Sequence, residues 1–183
     1  MKKMKICIYG AASDTIDPYF IEQGEELGRL VAVYGHTLVY GGGSTGMMGA
    51  CARGATEGNG ILIGVIPEFM KDYEDLYDQC TNRIKTHTMS GRKELMEKLG
   101  DAFVVAPGGI GTMDEFFQVL TLAYLDRKKA PIVIFNIKGY FDPLLEFIDQ
   151  GIQRGFIHER VKDLYVVREK PLDVLKAISS FDR

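Results

Sequence analysis

Leu38-Val39-Tyr40-Gly41-Gly42-Gly43-Ser44-Thr45-Gly46-Met47-Met48-Gly49 is the stretch that decides the fold. A short apolar run enters it, three glycines and two hydroxyl side chains turn it, and small residues through Ala50, Ala52 and Ala55 leave it. That pattern spells strand, tight loop, helix. Outward in both directions the same phrase recurs. Apolar strand-like runs fall at residues 6–9, 61–66, 102–106, 132–135 and 164–167. Helical periods separate them, over residues 90–99, 112–125 and 171–180, and from Asp142-Pro143 onward. Asp17-Pro18 has the form of an N-cap and first helical residue, opening a helix that runs to about residue 35. Residues 68–85 are polar and read as irregular.

Strands apolar on both faces, alternating with amphipathic helices, predict an α/β fold: a doubly wound, mostly parallel sheet with helices on both faces. A chain of 183 residues without a linker or repeat predicts a single domain over residues 1–183. Ligands of such sheets bind beyond the carboxyl ends of the strands. Most of the glycine-dense loops sit there, and the chain carries 21 glycines.

Two of those loops share a design. Gly41, Gly43 and Gly46 meet the G-x-G-x-x-G spacing, though after the second strand, and Met47 stands where a Walker lysine would have to be. Pro107-Gly108-Gly109-Ile110-Gly111-Thr112 repeats the design after another strand. Glycines let successive N–H groups converge on an anion, and a helix start adds its positive dipole end. Two such loops at neighbouring strand ends predict a cradle for one phosphate, as in a mononucleotide. Thr112 and Glu115 also fit a T-x-x-E capping box, so helix cap and catalytic carboxylate both stay open for Glu115. Arg92-Lys93 puts cations into a first helical turn, against the dipole. An anion nearby would explain that placement; a solvated basic face is the plainer alternative.

Other chemistries find little support. The net charge of −3 argues against a nucleic-acid polymer or an anionic membrane as partner. Cys7, Cys51 and Cys80 lack metal spacing, and Cys7 and Cys51 read as buried thiols. His36, His87 and His158 are scattered, so no metal is expected. A dehydrogenase would need an acidic residue after the fingerprint's next strand, where Glu68 is a rough match only. The basic start at residues 1–5 leads into an apolar run too short for a signal peptide or span, and the expected compartment is the cytoplasm.

With these pieces in place, the chain resembles the Lonely Guy (LOG) family of cytokinin riboside 5′-monophosphate phosphoribohydrolases, long mislabelled lysine decarboxylases. The resemblance runs from Ile6 to the C-terminal helix. It is carried by Pro107-Gly108-Gly109-Ile110-Gly111-Thr112 with Glu115, by Arg92-Lys93 with Met96, and by the loop from Val39 to Gly49. It implies a Rossmann-like homodimer that cleaves nucleoside 5′-monophosphates, AMP or cytokinin riboside 5′-monophosphate, to free base and ribose 5-phosphate without a cofactor. It implies catalytic roles for Arg92 and Glu115. It also implies substrate contacts from Ser13, Gly42, Gly43, Ser44, Thr45, Gly46, Met89, Lys93, Pro107, Gly108, Gly109, Ile110, Gly111 and Thr112. Two departures bear on the base rather than the phosphate: Gly10-Ala11-Ala12-Ser13 replaces the family's Gly-Ser-Ser, and Thr88-Met89-Ser90 replaces its Asp-Met-His. A carrier that binds a nucleotide or another phosphate ligand without cleaving it is the alternative, and a pyridoxal-phosphate decarboxylase would have only Lys93 suggestively placed.

Overall fold

Strand β1 (Lys5–Tyr9) shows why the chain folds as it does. Its side chains alternate between two cores: Ile6 and Ile8 face one, Cys7 and Tyr9 the other, and all four are buried. A strand covered on both faces has no polar side to show, which is why its sequence is a continuous apolar run. The same holds for β2 (Thr37–Tyr40), β3 (Ile61–Pro67), β5 (Ala102–Val105) and β6 (Ile132–Phe135). This computed structural model describes residues 3–73 and 75–181. Residues 1 and 2 of the basic start, residue 74 of the stretch 68–85 and the last two residues lie outside the described residues.

The strands form one seven-stranded sheet in the order β4-β3-β2-β1-β5-β6-β7, with every pairing parallel. On one face lie α1 (Pro18–Val33), α2 (Gly46–Glu57) and α6 (Pro171–Ser179), supplying Leu27, Cys51 and Val174 among others to the first core. On the other lie α3 (Met89–Leu99), α4 (Ile110–Tyr124) and α5 (Asp142–Gln153), which supply Met96, Phe116 and Ile148 to the second. Asp17 caps α1 through Tyr19 N–H at 2.9 Å, with Pro18 at the helix start, as its sequence predicts. Helices α1 and α2 touch backbone to backbone. A Cβ on Gly28 would stand 2.0 Å from the Cys51 carbonyl oxygen, and one on Gly54 1.8 Å from that of Glu25.

The stretch read as irregular holds structure. Glu68–Asp72 is a 3-10 turn, and β4 (Asn82–Thr86) pairs with β3 from Ile63↔Asn82 to Pro67↔Thr86. As an edge strand it keeps Asn82, Arg83 and Lys85 exposed and sets Ile84 against the second core, so no apolar run announces it. At the opposite edge β7 (Val166–Arg168) begins after Leu164, which ends a 3-10 helix.

Strand β1 lies between β2 and β5, and the chain winds away from it in opposite directions. This is the switch point at which open α/β sheets leave a crevice for ligands. The loops after β1 and β5 flank it.

Candidate active site

The loop after β5 delivers the start of α4 to that crevice. Gly109 is the N-cap residue, with no side-chain hydrogen bond to the first turn, and Met113 N–H reaches the Gly109 carbonyl at 3.1 Å. The helix therefore opens at Ile110, two residues before Thr112, which lies buried inside the first turn. A T-x-x-E capping box is excluded, because Thr112 is not the cap. The first-turn N–H groups of α4 receive no capping side chain, the arrangement that suits an anion.

Glu115 lies one turn further along α4, and its partner comes from α3. Thr88 caps α3 by accepting from Gly91 N–H at 3.0 Å, so the helix starts at Met89, one residue before the sequence-based start. Arg92 then projects inward. Its Nη2 stands 3.4 Å from Glu115 Oε1, with the two side chains 7% and 10% exposed. A strong charge-assisted hydrogen bond is about 2.8 Å long. The pair is therefore close but loosely bonded, and buried Arg92 Nε has no hydrogen-bond partner among the described residues. Burying an arginine with donors in hand costs free energy unless something else takes them up.

Beneath the pair, Tyr9 stacks on Phe103 with ring centroids 6.1 Å apart. Burial, with the charge of Glu115 behind it, pushes the Cys7 thiol up. Burial, then the neighbouring Cys7 and Glu115, does the same to the Tyr9 hydroxyl. Both stay neutral beneath the carboxylate. At the mouth Lys93 Nζ donates to both oxygens of Asp114, at 2.9 and 2.8 Å. Asp114 is a wall residue that the sequence did not single out.

Arg92, Lys93, Asp114 and Glu115 line a cleft of about 320 Å³. Gly109, Gly111 and Thr112 form one wall, the loop of Gly10, Ala11, Ala12 and Ser13 another, and Met48, Met70 and Met89 give it an apolar side. Pro107 and Gly108 line an adjoining hollow of about 350 Å³ with Ile16, Phe20 and Tyr140, whose hydroxyl donates to the Gly108 carbonyl at 2.7 Å. Ser13 and Gly109 border both spaces, while Ile110 is 90% exposed on the rim.

The first glycine loop departs from its expected position. Gly42, Gly43, Ser44, Thr45 and Gly46 do not line the cleft, and from this region only Met48 does. Their bonds go elsewhere. Gly42 and Ser44 pair with Tyr77 and Asp75 through backbone hydrogen bonds of 3.0 and 2.9 Å. Thr45 Oγ1 donates to the Ala12 carbonyl at 2.6 Å. Gly46, at φ +60°, passes so near the loop after β1 that a Cβ would come within 2.6 Å of the Ala11 and Ser13 carbonyl oxygens. The loop thus props the cleft wall formed by Ala11 to Ser13. In place of a converging double cradle, one glycine loop lines the cleft at the start of α4 and the other lies behind the wall of Ala11 to Ser13.

A family model described as possible lysine decarboxylase matches residues 48–178. The chain is 39% identical over 157 residues to the cytokinin riboside 5′-monophosphate phosphoribohydrolase of Rhodococcoides fascians, covering 85% of this chain and 79% of that protein. It is 38% identical over 173 residues to the Mycobacterium tuberculosis protein of the same name, covering 94% and 91%. The chain belongs to the LOG family. To the rice protein named LOG this family member is 34% identical, over 88% of its own length and 67% of the other's. The solved Moco carrier protein of Chlamydomonas reinhardtii superposes with a TM-score of 0.73 at 23% identity, covering 98% and 97% of the two chains. At that identity the likeness shows a shared Rossmann-like fold. The decarboxylase label in the family model finds no match in the cleft among the described residues, where Lys93 in the lining is committed to Asp114.

Proposed function

We propose that this LOG-family chain hydrolyses the N-glycosidic bond of nucleoside 5′-monophosphates, with AMP and cytokinin riboside 5′-monophosphate as the candidate substrates. The single observation that carries the reading is the buried Arg92–Glu115 pair beside the start of α4, whose cap residue Gly109 brings no side chain to the first turn. Catalytic and anchoring functions lie within one nucleotide's reach.

In this reading the 5′-phosphate rests on the N–H groups around Gly109, Gly111 and Thr112, with Ser13 opposite. Lys93 adds charge from the mouth. Breaking C1′–N sends the bonding electron pair to the base and leaves an oxocarbenium-like ribose. Glu115 faces that positive charge, orients a water toward C1′ and takes its proton. Arg92, planar and always charged, holds the carboxylate and turns its spare donors to the ribose or the departing base. The proton that Glu115 takes from the water is passed to the nitrogen of the departing base, which regenerates the carboxylate, and the net change is nucleotide plus water to base plus ribose 5-phosphate. The chemistry so written calls on neither a metal nor an organic cofactor. The phosphate takes no part in bond breaking, so its binding energy serves to position the ribose. Met48, Met70 and Met89 form an adaptable apolar side suited to a base.

The proposed assembly is a cytoplasmic homodimer. The three unpaired cysteines are consistent with a reducing compartment, and no described helix is long and apolar enough to cross a membrane. Incubation with a panel of nucleoside 5′-monophosphates, followed by chromatography, tests the substrate class. Free base should appear from at least one purine monophosphate and not from the matching nucleoside. Equal turnover of both would remove the phosphate anchor from the account.

A further inference from the structure

Gly41, the residue that follows β2 and opens the first glycine loop, lies against the guanidinium of Arg92. A Cβ built on Gly41 would stand 2.3 Å from Arg92 Nη2 and 3.1 Å from its Cζ, with Met48 Sδ at 2.9 Å. The thioether is the end of a flexible side chain and can give way. The guanidinium has less freedom: Arg92 is 6% exposed, and the same Nη2 faces Glu115 Oε1 at 3.4 Å from its other neighbour. Gly41 is not among the glycines with positive φ, so its backbone accepts any residue and what the position excludes is the side chain itself.

We propose that Gly41 is a positioning residue: its missing side chain is the seat that lets the Arg92 guanidinium lie beside Glu115. The inference rests on Arg92 being catalytic. It gives the first glycine loop a task in the reaction although that loop does not line the cleft. The loop's opening glycine fixes the cation, while its later residues prop the wall made by Ala11 to Ser13.

A four-member cycle tests this: wild type, Gly41→Ala, Arg92→Lys and the double variant. Lysine has no planar fork, so it leaves vacant the space that the added methyl would take. With the monophosphate that wild type cleaves fastest, Gly41→Ala should lower kcat by about 10–100-fold, the order expected when a catalytic group is displaced by an ångström. KM should move far less. In the Arg92→Lys background the same change should cost less than about twofold, because the displaced group is gone. The Arg92 Nε–H resonance, from a buried donor with no partner among the described residues, should shift in Gly41→Ala while the other arginine Nε–H signals stay put. Equal kcat losses in both backgrounds, or an unmoved Arg92 resonance, would overturn the proposal. If Gly41→Ala alone fails to fold, Arg92→Lys must restore the melting transition, and failure in both backgrounds overturns it equally. A wild type that cleaves no monophosphate would refute the hydrolase reading instead, and the resonance and melting arms still decide the seat.

Discussion

At the scale of single residues the account turns on Glu115, whose carboxylate has no capping task because Gly109 rather than Thr112 caps α4. Glutamine keeps its size and loses its charge. Glu115→Gln should therefore lower turnover by about 10²–10⁴-fold while nucleotide binding persists, read by single-turnover kinetics and equilibrium titration. Turnover near that of wild type would leave the carboxylate without a role. Arg92→Lys keeps the net charge and should still weaken activity, since the spare donors of the fork are lost. The thiols give a separate check. Burial pushes Cys51 up to about 12, and it pushes Cys7 in the same direction. A thiol whose pKa is higher folded than unfolded contributes stability below the unfolded value and loses it as pH rises. The melting temperature should fall progressively from about pH 9, where the unfolded thiols ionise, toward pH 12. At pH 8 a thiol reagent should label half-buried Cys80 ahead of Cys7 and Cys51, which become reactive on unfolding. Rapid labelling of all three in the native protein would contradict the two-sided burial of β1.

At the scale of elements, helix propensity and packing disagree about Gly28, and the magnitudes decide. Alanine is favoured over glycine in a helix interior by about 1 kcal/mol. Its Cβ would meet backbone of α2 at 2.0 Å, and overpacking of that kind costs about 1–3 kcal/mol or more. Gly28→Ala should therefore lower the urea midpoint, and a raised midpoint would show that α1 and α2 can part. The legibility of the elements follows the same physics. Core strands such as 102–106 are readable because both faces are covered, and Asp17-Pro18 is readable because a cap is local chemistry. Strand β4 is not, since an edge strand keeps Asn82, Arg83 and Lys85 in water and depends on β3 for its form. The start of α4 is hidden by the same limit: Thr112 has cap chemistry, yet the turn closes at Gly109. Arg92, Glu115 and the Gly109–Thr112 loop can be found as motifs. Asp114 and Met70 reach the cleft only when α3 docks on α4 and the Glu68–Asp72 turn folds over, so local sequence holds no sign of them. The role of Gly41–Gly46 is obscured for a related reason. Glycine marks close approach, and whether the neighbour is a ligand or another backbone is decided by tertiary structure.

At the scale of the whole molecule, apolar side chains stand exposed on α4 and α5 and just beyond them. Phe117, Leu125, Phe147 and Phe156 are between 37% and 85% exposed, and Phe117 and Phe156 border one hollow. A surface of that kind is commonly covered by another subunit. The proposed homodimer predicts a solution mass near twice 20.4 kDa by light scattering, and a strictly monomeric, fully active protein would contradict it. Shared fold does not settle chemistry, since the carrier that superposes on this chain has the same architecture. What separates hydrolysis from carriage is the fate of the glycosidic bond. The most direct measurement is therefore a product balance: free base and ribose 5-phosphate quantified together from one incubation with a purine 5′-monophosphate. The account predicts that both accumulate in equal amounts, over many turnovers, and that Glu115→Gln slows the release of both together by about 10²–10⁴-fold. A nucleotide recovered intact from a stable complex, with neither product formed, would contradict it.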